Sequence, residues 1–163
     1  MKILVSACLI GRNCKYNGGN NDCETVRRLG EWHELIPVCP EEMGGLPTPR
    51  LPSEIVDGTV RNIRGESVDE EFRRGAQEAL KVAREEAVDM IVLQPRSPSC
   101  GVHEIYDGSF TGKRIPGSGI FAAMAVEEGF RVMDSEDLAE DSEAQRVCGQ
   151  KTNRNSFGED SLK

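Results

Sequence analysis

The segment "MIVLQPRSPSCGVHEIYDG", residues 90–108, decides how this chain folds. Its first six residues, 90–95, form a short apolar run that ends in a proline, which predicts a buried β-strand. Cys100 follows within five residues, in a loop that also contains Pro98 and two serines. Two interpretations of Cys100 arise: a small buried residue in a turn, or a side chain presented for chemistry.

Apolar runs and periodicities elsewhere in the chain predict the elements that surround this strand. The runs predict three further strands, over residues 2–8, 34–40 and 130–134. Helices are predicted over residues 22–33, 69–89 and 117–130. Strands that alternate with helices indicate an α/β fold in a single domain, with a mostly parallel sheet and helices on its faces. We assign this domain to residues 1–140 and predict that the polar, aperiodic residues 141–163 form a mobile tail.

Charge and hydropathy limit the kinds of partner that this chain would bind. The formal net charge of −8 at pH 7 argues against a nucleic-acid polymer or an anionic membrane. No stretch approaches the roughly 20 apolar residues of a membrane span. The N-terminal apolar run is interrupted at Ser6 and lacks the cleavage site of a signal peptide. We therefore expect a cytoplasmic protein.

The chain contains six cysteines, and their positions relative to the predicted strands are informative. In the cytoplasm, cysteines are expected to bind metal or act in catalysis rather than form structural disulfides. Cys8 closes the first predicted strand, Cys39 closes the second, and Cys100 follows the third. Carboxyl ends of parallel strands share one edge of a sheet, where ligands bind in a crevice. The sequence therefore predicts that these three cysteines converge at that edge.

Three convergent thiols are compatible with several kinds of site. Zinc prefers four protein ligands, and Cys14 would supply the fourth. An iron–sulfur cluster with three cysteine ligands would leave one iron open to act as a Lewis acid. A single nucleophilic thiol, or plain packing at the strand ends, also accounts for the pattern. The residues alone leave these alternatives open.

Polar residues beside these cysteines are candidates for proton transfer. Glu41 lies two residues after Cys39, where a carboxylate would act as acid or base beside a metal, or simply be solvated. Ser97 and Ser99 flank Pro98 ahead of Cys100. A hydroxyl there would donate to a polarised substrate atom or close a turn.

Four ordered motifs give the chain a family resemblance: "SACLIGRNCKYNGG", "PVCPEEMGGLPTPR", "RSPSCGVHEIYDGSFTG" and "GSGIFAAM". Together they resemble the thiouracil desulfidase family, from about residue 2 to residue 137. Characterised members remove sulfur from 2-thiouracil, giving uracil and hydrogen sulfide, with a 4Fe–4S cluster held by three cysteines. The resemblance implies that Cys8, Cys39 and Cys100 are the cluster ligands, and that Glu41 and Ser97 are catalytic.

The resemblance also implies a mechanism and a small-molecule thio-substrate. The open iron would capture the thiocarbonyl sulfur, Glu41 would carry the proton and activate water, and Ser97 would orient the substrate or the proton. No electron is transferred, so the reaction would be a non-redox hydrolysis. Cys14 or Cys23 as a fourth ligand would instead close the site and give a non-catalytic zinc or iron–sulfur protein. Cys148, in the predicted tail, has no counterpart in the family motifs.

Overall fold

The computed structural model describes residues 1–140, and the predicted tail with Cys148 lies outside the described residues. In chain order the strands are β1 (Lys2–Ser6), β2 (Glu34–Val38), β3 (Ser53–Val56), β4 (Thr59–Asn62), β5 (Met90–Leu93), β6 (Glu104–Tyr106), β7 (Arg114–Pro116) and β8 (Val132–Asp134). The α-helices are α1 (Glu24–Leu29), α2 (Pro40–Met43), α3 (Asp69–Glu85) and α4 (Ile120–Glu127). Within residues 1–140, none of these helices has the length and apolar character needed to cross a bilayer.

The four strands predicted from apolar runs form one parallel sheet, in the order β2-β1-β5-β8. The chain leaves β1 for β2 on one side and returns to β5 on the other side. The neighbouring strands β1 and β5 therefore form the switch point of the sheet. The connections that follow them run to opposite sides and leave a crevice at the carboxyl ends of the strands. The predicted α/β fold class, with a parallel sheet flanked by helices, is confirmed.

Side chains of the central strands alternate between two cores, because successive residues of a strand point to opposite faces. On one face Leu4, Ile91 and Leu93 pack with α3 and α4. On the opposite face Ile3 and Val92 pack with α1. The two cores fix the sheet from both sides, and the carboxyl edge of the strands stays open for a site.

Two antiparallel hairpins, β3-β4 and β6-β7, were not predicted from the sequence. Their strands are only three or four residues long and only partly buried, so they carry no strong periodic signal. Asp57-Gly58 joins β3 to β4 as a two-residue turn, a pairing typical of hairpins. The two hairpins contact each other and stand beside the carboxyl edge of the sheet.

The contact between α2 and α3 depends on two glycines. A Cβ atom on Gly75, in the middle of α3, would overlap the carbonyl oxygen of Pro40. A Cβ atom on Gly44, at the end of α2, would overlap the carbonyl oxygen of Glu71. This close backbone approach sets the position of α2, which carries Glu41 in its first turn.

Replacing Gly75 by alanine tests this contact. In an ordinary helix interior this change stabilises by about 1 kcal/mol. Here the added methyl group meets rigid backbone, so we expect the free energy of unfolding to fall by about 2 kcal/mol. Urea denaturation followed by circular dichroism measures the difference. Gln77→Ala, at an exposed position of the same helix, is the control and should change stability little; a stabilising Gly75→Ala would contradict the packing described here.

Candidate functional site

A cleft of about 540 Å³ lies at the carboxyl ends of β1, β2 and β5. The structure brings all five sequence-predicted site residues to its lining: Cys8, Cys39, Glu41, Ser97 and Cys100. The loops after the three strands form one wall, and parts of the two hairpins form the other. The predicted convergence at the carboxyl edge is therefore present in the fold, and the roles of these residues stay predictions.

Cys8 and Cys39 each follow directly from a strand of the sheet. β1 ends at Ser6, two residues earlier than predicted, and Cys8 lies in a 3-10 turn over Ala7–Ile10. Cys39 is the residue between the end of β2 and Pro40, the first residue of α2. Because β1 and β2 pair in parallel register, their ends bring the two cysteines to the same edge.

Cys100 is held by the hydrogen bonds of its loop to the start of α4. The N–H groups of Gly119, Ile120 and Phe121 donate to carbonyl oxygens of the 98–101 loop, at 2.8–2.9 Å. A Cβ atom on Gly119 would overlap the backbone of Ser99, so glycine is required at that position. These N–H groups are therefore used to fix the loop and not to bind a substrate oxygen.

Cys14 also lines the cleft, whereas Cys23 lies outside it and packs on the core beside α1. The Cys14 thiol is buried and forms hydrogen bonds with both Cys8 and Cys39. Of the two additional thiols considered from the sequence, only Cys14 is close to the predicted ligands.

The cysteine sulfurs are spread more widely than the ligands of a single metal ion. Tetrahedral zinc would hold its sulfurs roughly 3.8 Å apart, given a Zn–S distance of about 2.3 Å. Among His, Cys, Asp and Glu side chains of residues 1–140, the one trio with ligand atoms all within 4.8 Å of one another is His103, Asp134 and Asp137. That trio contains a hydrogen bond of 2.7 Å between His103 Nε2 and Asp137 Oδ2. No three of the cleft thiols form such a compact group.

The four thiols of the cleft differ in acidity. A hydrogen bond with Cys14 lowers the pKa of Cys8, and a hydrogen bond from the Asn21 amide adds to this effect. The hydrogen bond with Cys39 lowers the pKa of Cys14, but the bond with Cys8 and burial together raise it to about 11. The pKa of Cys39 lies above its usual range because its thiol hydrogen-bonds Cys14 and is buried.

Burial raises the pKa of the Cys100 thiol to about 12, although hydroxyl groups of Ser6 and Ser99 point at its sulfur. Raised pKa values mean that binding of a metal to Cys39 and Cys100 must displace protons. Hydroxyl and amide donors around the sulfurs favour the thiolate form once the proton has gone.

Glu41 is held by an arginine that the sequence analysis did not identify. Glu41 Oε1 accepts a hydrogen bond from Arg50 Nε at 2.9 Å and forms an ion pair with Arg50 Nη2 at 2.8 Å. The side chains of Arg50 and Glu41 are only 8% and 14% exposed. Arg50 Nη2 also donates to the Cys14 carbonyl oxygen at 2.8 Å, and Nη1 donates to Thr48 Oγ1 at 2.9 Å. One guanidinium group therefore connects the loop after β1 to α2 and to the segment that follows it.

The other carboxylate oxygen of Glu41 begins a chain of hydroxyl groups. Ser99 Oγ donates to Glu41 Oε2 at 2.9 Å and lies 2.9 Å from Ser97 Oγ. Because the Ser99 proton is used toward Glu41, Ser97 is the donor in the contact between the two serines. Ser97 Oγ also accepts from the N–H groups of Ser99 and Cys100, at 3.0 Å each, so it closes a turn as well. Ser99, which was not among the residues predicted to be catalytic, connects Ser97 to Glu41.

The chain is similar to known proteins in both sequence and fold. A family model described as 2-thiouracil desulfurase matches residues 3–137. An uncharacterised protein of Bacillus subtilis, YbbK, is 40% identical over 146 residues, which cover 83% of this chain and 97% of the relative. A solved structure described as the 4Fe–4S-dependent thiouracil desulfidase TudS is 36% identical, with a TM-score of 0.83. The alignment covers 90% of this chain and 98% of that structure.

Arg50→Met tests how much the buried ion pair stabilises the protein. It would leave the Glu41 carboxylate in a largely buried place without its cation, so we expect a loss of about 3 kcal/mol in the free energy of unfolding. The double variant Arg50→Met/Glu41→Gln should recover part of that loss, as measured by urea denaturation. Arg84→Met, which removes the exposed ion pair with Glu128, serves as control and should have little effect. Equal losses in the two arginine variants would contradict the account of the pair.

Proposed function

The chain belongs to the 2-thiouracil desulfurase family and is a desulfidase, and from that premise we propose that it hydrolyses the thiocarbonyl group of a 2-thiouracil-type base. The bond between carbon and sulfur breaks, a bond between the same carbon and a water oxygen forms, and sulfide leaves with protons from that water. The products balance without an oxidant or a reductant. The observation that carries the proposal is the meeting, in one cleft, of three strand-end thiols with the Glu41–Ser99–Ser97 line of hydrogen bonds.

The donor set of the cleft fits a 4Fe–4S cluster held by Cys8, Cys39 and Cys100. Three thiols that follow three separate strands line one cleft, and their sulfurs are not all within 4.8 Å of one another, which supports a group larger than one ion. Asn21 donates to the Cys8 sulfur at 3.4 Å, and Ser99 Oγ, whose proton is directed at Glu41, lies 3.6 Å from the Cys100 sulfur. Such donors are typical around cluster-bound thiolates. With three protein ligands, a bound cluster would supply an open iron as a Lewis acid for the thiocarbonyl sulfur.

The residues of the chain supply the proton chemistry and the orientation of the substrate. Arg50 occupies Oε1 of Glu41, so Oε2 is the oxygen that exchanges protons on the cleft side. Glu41 takes a proton from the attacking water and returns it to the departing sulfur. Ser99 and Ser97 hold that carboxylate oxygen in place and offer a path for the proton along the wall of the cleft.

A second candidate function rests on Cys14. Its thiol contacts both Cys8 and Cys39, so it is placed to become a fourth ligand. Four cysteine ligands would close the site and leave no open iron, giving a structural or electron-transfer protein. The two candidate functions differ in whether the cluster requires Cys14 as a ligand.

Single serine substitutions identify the ligands. After anaerobic reconstitution, Cys8→Ser, Cys39→Ser and Cys100→Ser should each lose the cluster, because serine is a poor ligand for iron. Cys14→Ser should retain it, as should the control Cys23→Ser, whose thiol lies outside the cleft. Iron and acid-labile sulfide content, with the visible absorbance of the cluster, measure loading.

Two outcomes of this series decide against the proposal. Full loading of the Cys100→Ser variant would contradict the ligand assignment. Loss of the cluster in Cys14→Ser, together with no sulfide release from 2-thiouracil by the unsubstituted protein, would favour the closed site.

Glu41→Gln separates binding of the cluster from the reaction. Glutamine keeps the size of the side chain but does not carry the proton, and general acid–base steps contribute about 10²–10⁴-fold to rates. The variant should load normally and release sulfide more slowly by a factor in that range. Glu42→Gln is the matched control, since Glu42 hydrogen-bonds Thr48 and does not line the cleft. Near-normal turnover of Glu41→Gln would show that another group moves the proton.

A further inference from the structure

The backbone of the cleft wall contains an unusual residue, Phe110. Among residues 1–140, four residues other than glycine have a positive φ. Asp57 lies in a hairpin turn and Ala87 follows the end of α3, positions where such angles are common. Arg96 and Phe110, with φ of 68° and 59°, both line the cleft. A bulky aromatic residue rarely adopts this conformation, and strained residues of this kind concentrate at functional sites.

The loop that carries Phe110, residues 107–112 between β6 and β7, is fixed by the neighbouring hairpin. Glu54 Oε1, on β3, accepts the N–H groups of Gly108 at 2.9 Å and Phe110 at 3.0 Å. A Cβ atom on Gly108 would lie 2.8 Å from the Ile55 carbonyl oxygen, so the loop rests directly on β3. The strained conformation of Phe110 is therefore held by specific contacts within the protein.

The ring of Phe110 does not contribute to either hydrophobic core. It is half-buried, and it is absent from the hydrophobic residues that pack on the cores at the two faces of the sheet. It lines the cleft instead, on the same hairpin as Tyr106, which lines it too. Core packing therefore does not account for this strained, anchored phenylalanine, whereas contact with a planar ligand does.

We propose that Phe110 contacts the face of the substrate ring and makes the cleft selective for planar heteroaromatic thiones over thiones with a puckered, saturated ring. The inference rests on the proposed function, since it assigns the substrate class of the same cleft. Aromatic rings gain from offset stacking on one another, and a saturated ring with two tetrahedral carbons cannot lie flat on the phenylalanine face. The contact is made to the C5–C6 side of the ring, which stays planar while water attacks the C=S carbon. It therefore binds the ground state and the transition state equally, and acts on KM rather than kcat.

Two substitutions at Phe110 separate a binding role from a structural one. Phe110→Leu keeps an apolar side chain but removes the aromatic face. Phe110→Gly removes the ring and also relieves the positive φ, so it should not lower the melting temperature. Ala87→Gly relieves a positive φ remote from the cleft and is the matched control.

The probes are uracil and 5,6-dihydrouracil, which lack sulfur and so report binding without turnover. Calorimetry on the reconstituted full-length protein should give uracil a dissociation constant about tenfold higher in Phe110→Leu. The constant for dihydrouracil should change less than twofold. For 2-thiouracil, KM should rise by the same factor as the uracil constant while kcat stays within about twofold. Ala87→Gly should leave all these constants unchanged.

Several outcomes would overturn the inference: equal weakening of both probes, no weakening of either, or a lower kcat at unchanged KM. A fall in the melting temperature of Phe110→Gly would assign the ring a structural role and overturn it as well. Failure of the proposed function is distinguishable. The protein would then bind uracil selectively through Phe110 but release no sulfide. That result would contradict the proposed hydrolysis and support the contact between Phe110 and the ring.

Discussion

Parallel pairing of β1 with both β2 and β5 is the constraint on which the site depends. Cys8, Cys39 and Cys100 lie far apart in the sequence, and they meet because the strands that precede them run in the same direction and end at one edge. The switch point between β1 and β5 leaves space there. The close approach of α2 and α3 at Gly44 and Gly75 then fixes the position of α2, and with it the position of Glu41 at that edge.

Within the cleft, the two carboxylate oxygens of Glu41 have different partners. Arg50 binds one oxygen of Glu41 and the Cys14 carbonyl, which holds the carboxylate and the loop after β1 in one arrangement. The other oxygen of Glu41 continues through Ser99 to Ser97, which at the same time closes the turn before Cys100. The proposed proton transfer and the placement of the Cys100 thiol therefore depend on the same short segment, so we expect a change in that segment to affect both.

The sequence was sufficient to predict the parallel sheet, the helices α1, α3 and α4 and the convergence of the three cysteines, because buried strands and amphipathic helices leave periodic patterns. Helix α2 was not predicted, since its four residues are too few to show a period. It did not reveal the ion pair of Arg50 with Glu41, which joins two segments through a loop without periodicity. The role of Ser99 depends on which way two neighbouring hydroxyl groups turn, and composition does not encode that direction. The strain at Phe110 arises from contacts with β3, a strand of four residues that carries little signal of its own.

The proposed hydrolysis transfers no electron, and the oxygen atom of the product must then come from water. The reconstituted protein is incubated anaerobically with 2-thiouracil in water enriched in oxygen-18, without any electron donor, and the products are analysed by mass spectrometry and sulfide assay. We expect uracil that carries one labelled oxygen, together with an equal amount of sulfide. Unlabelled uracil, or sulfide release that requires an added reductant, would contradict it.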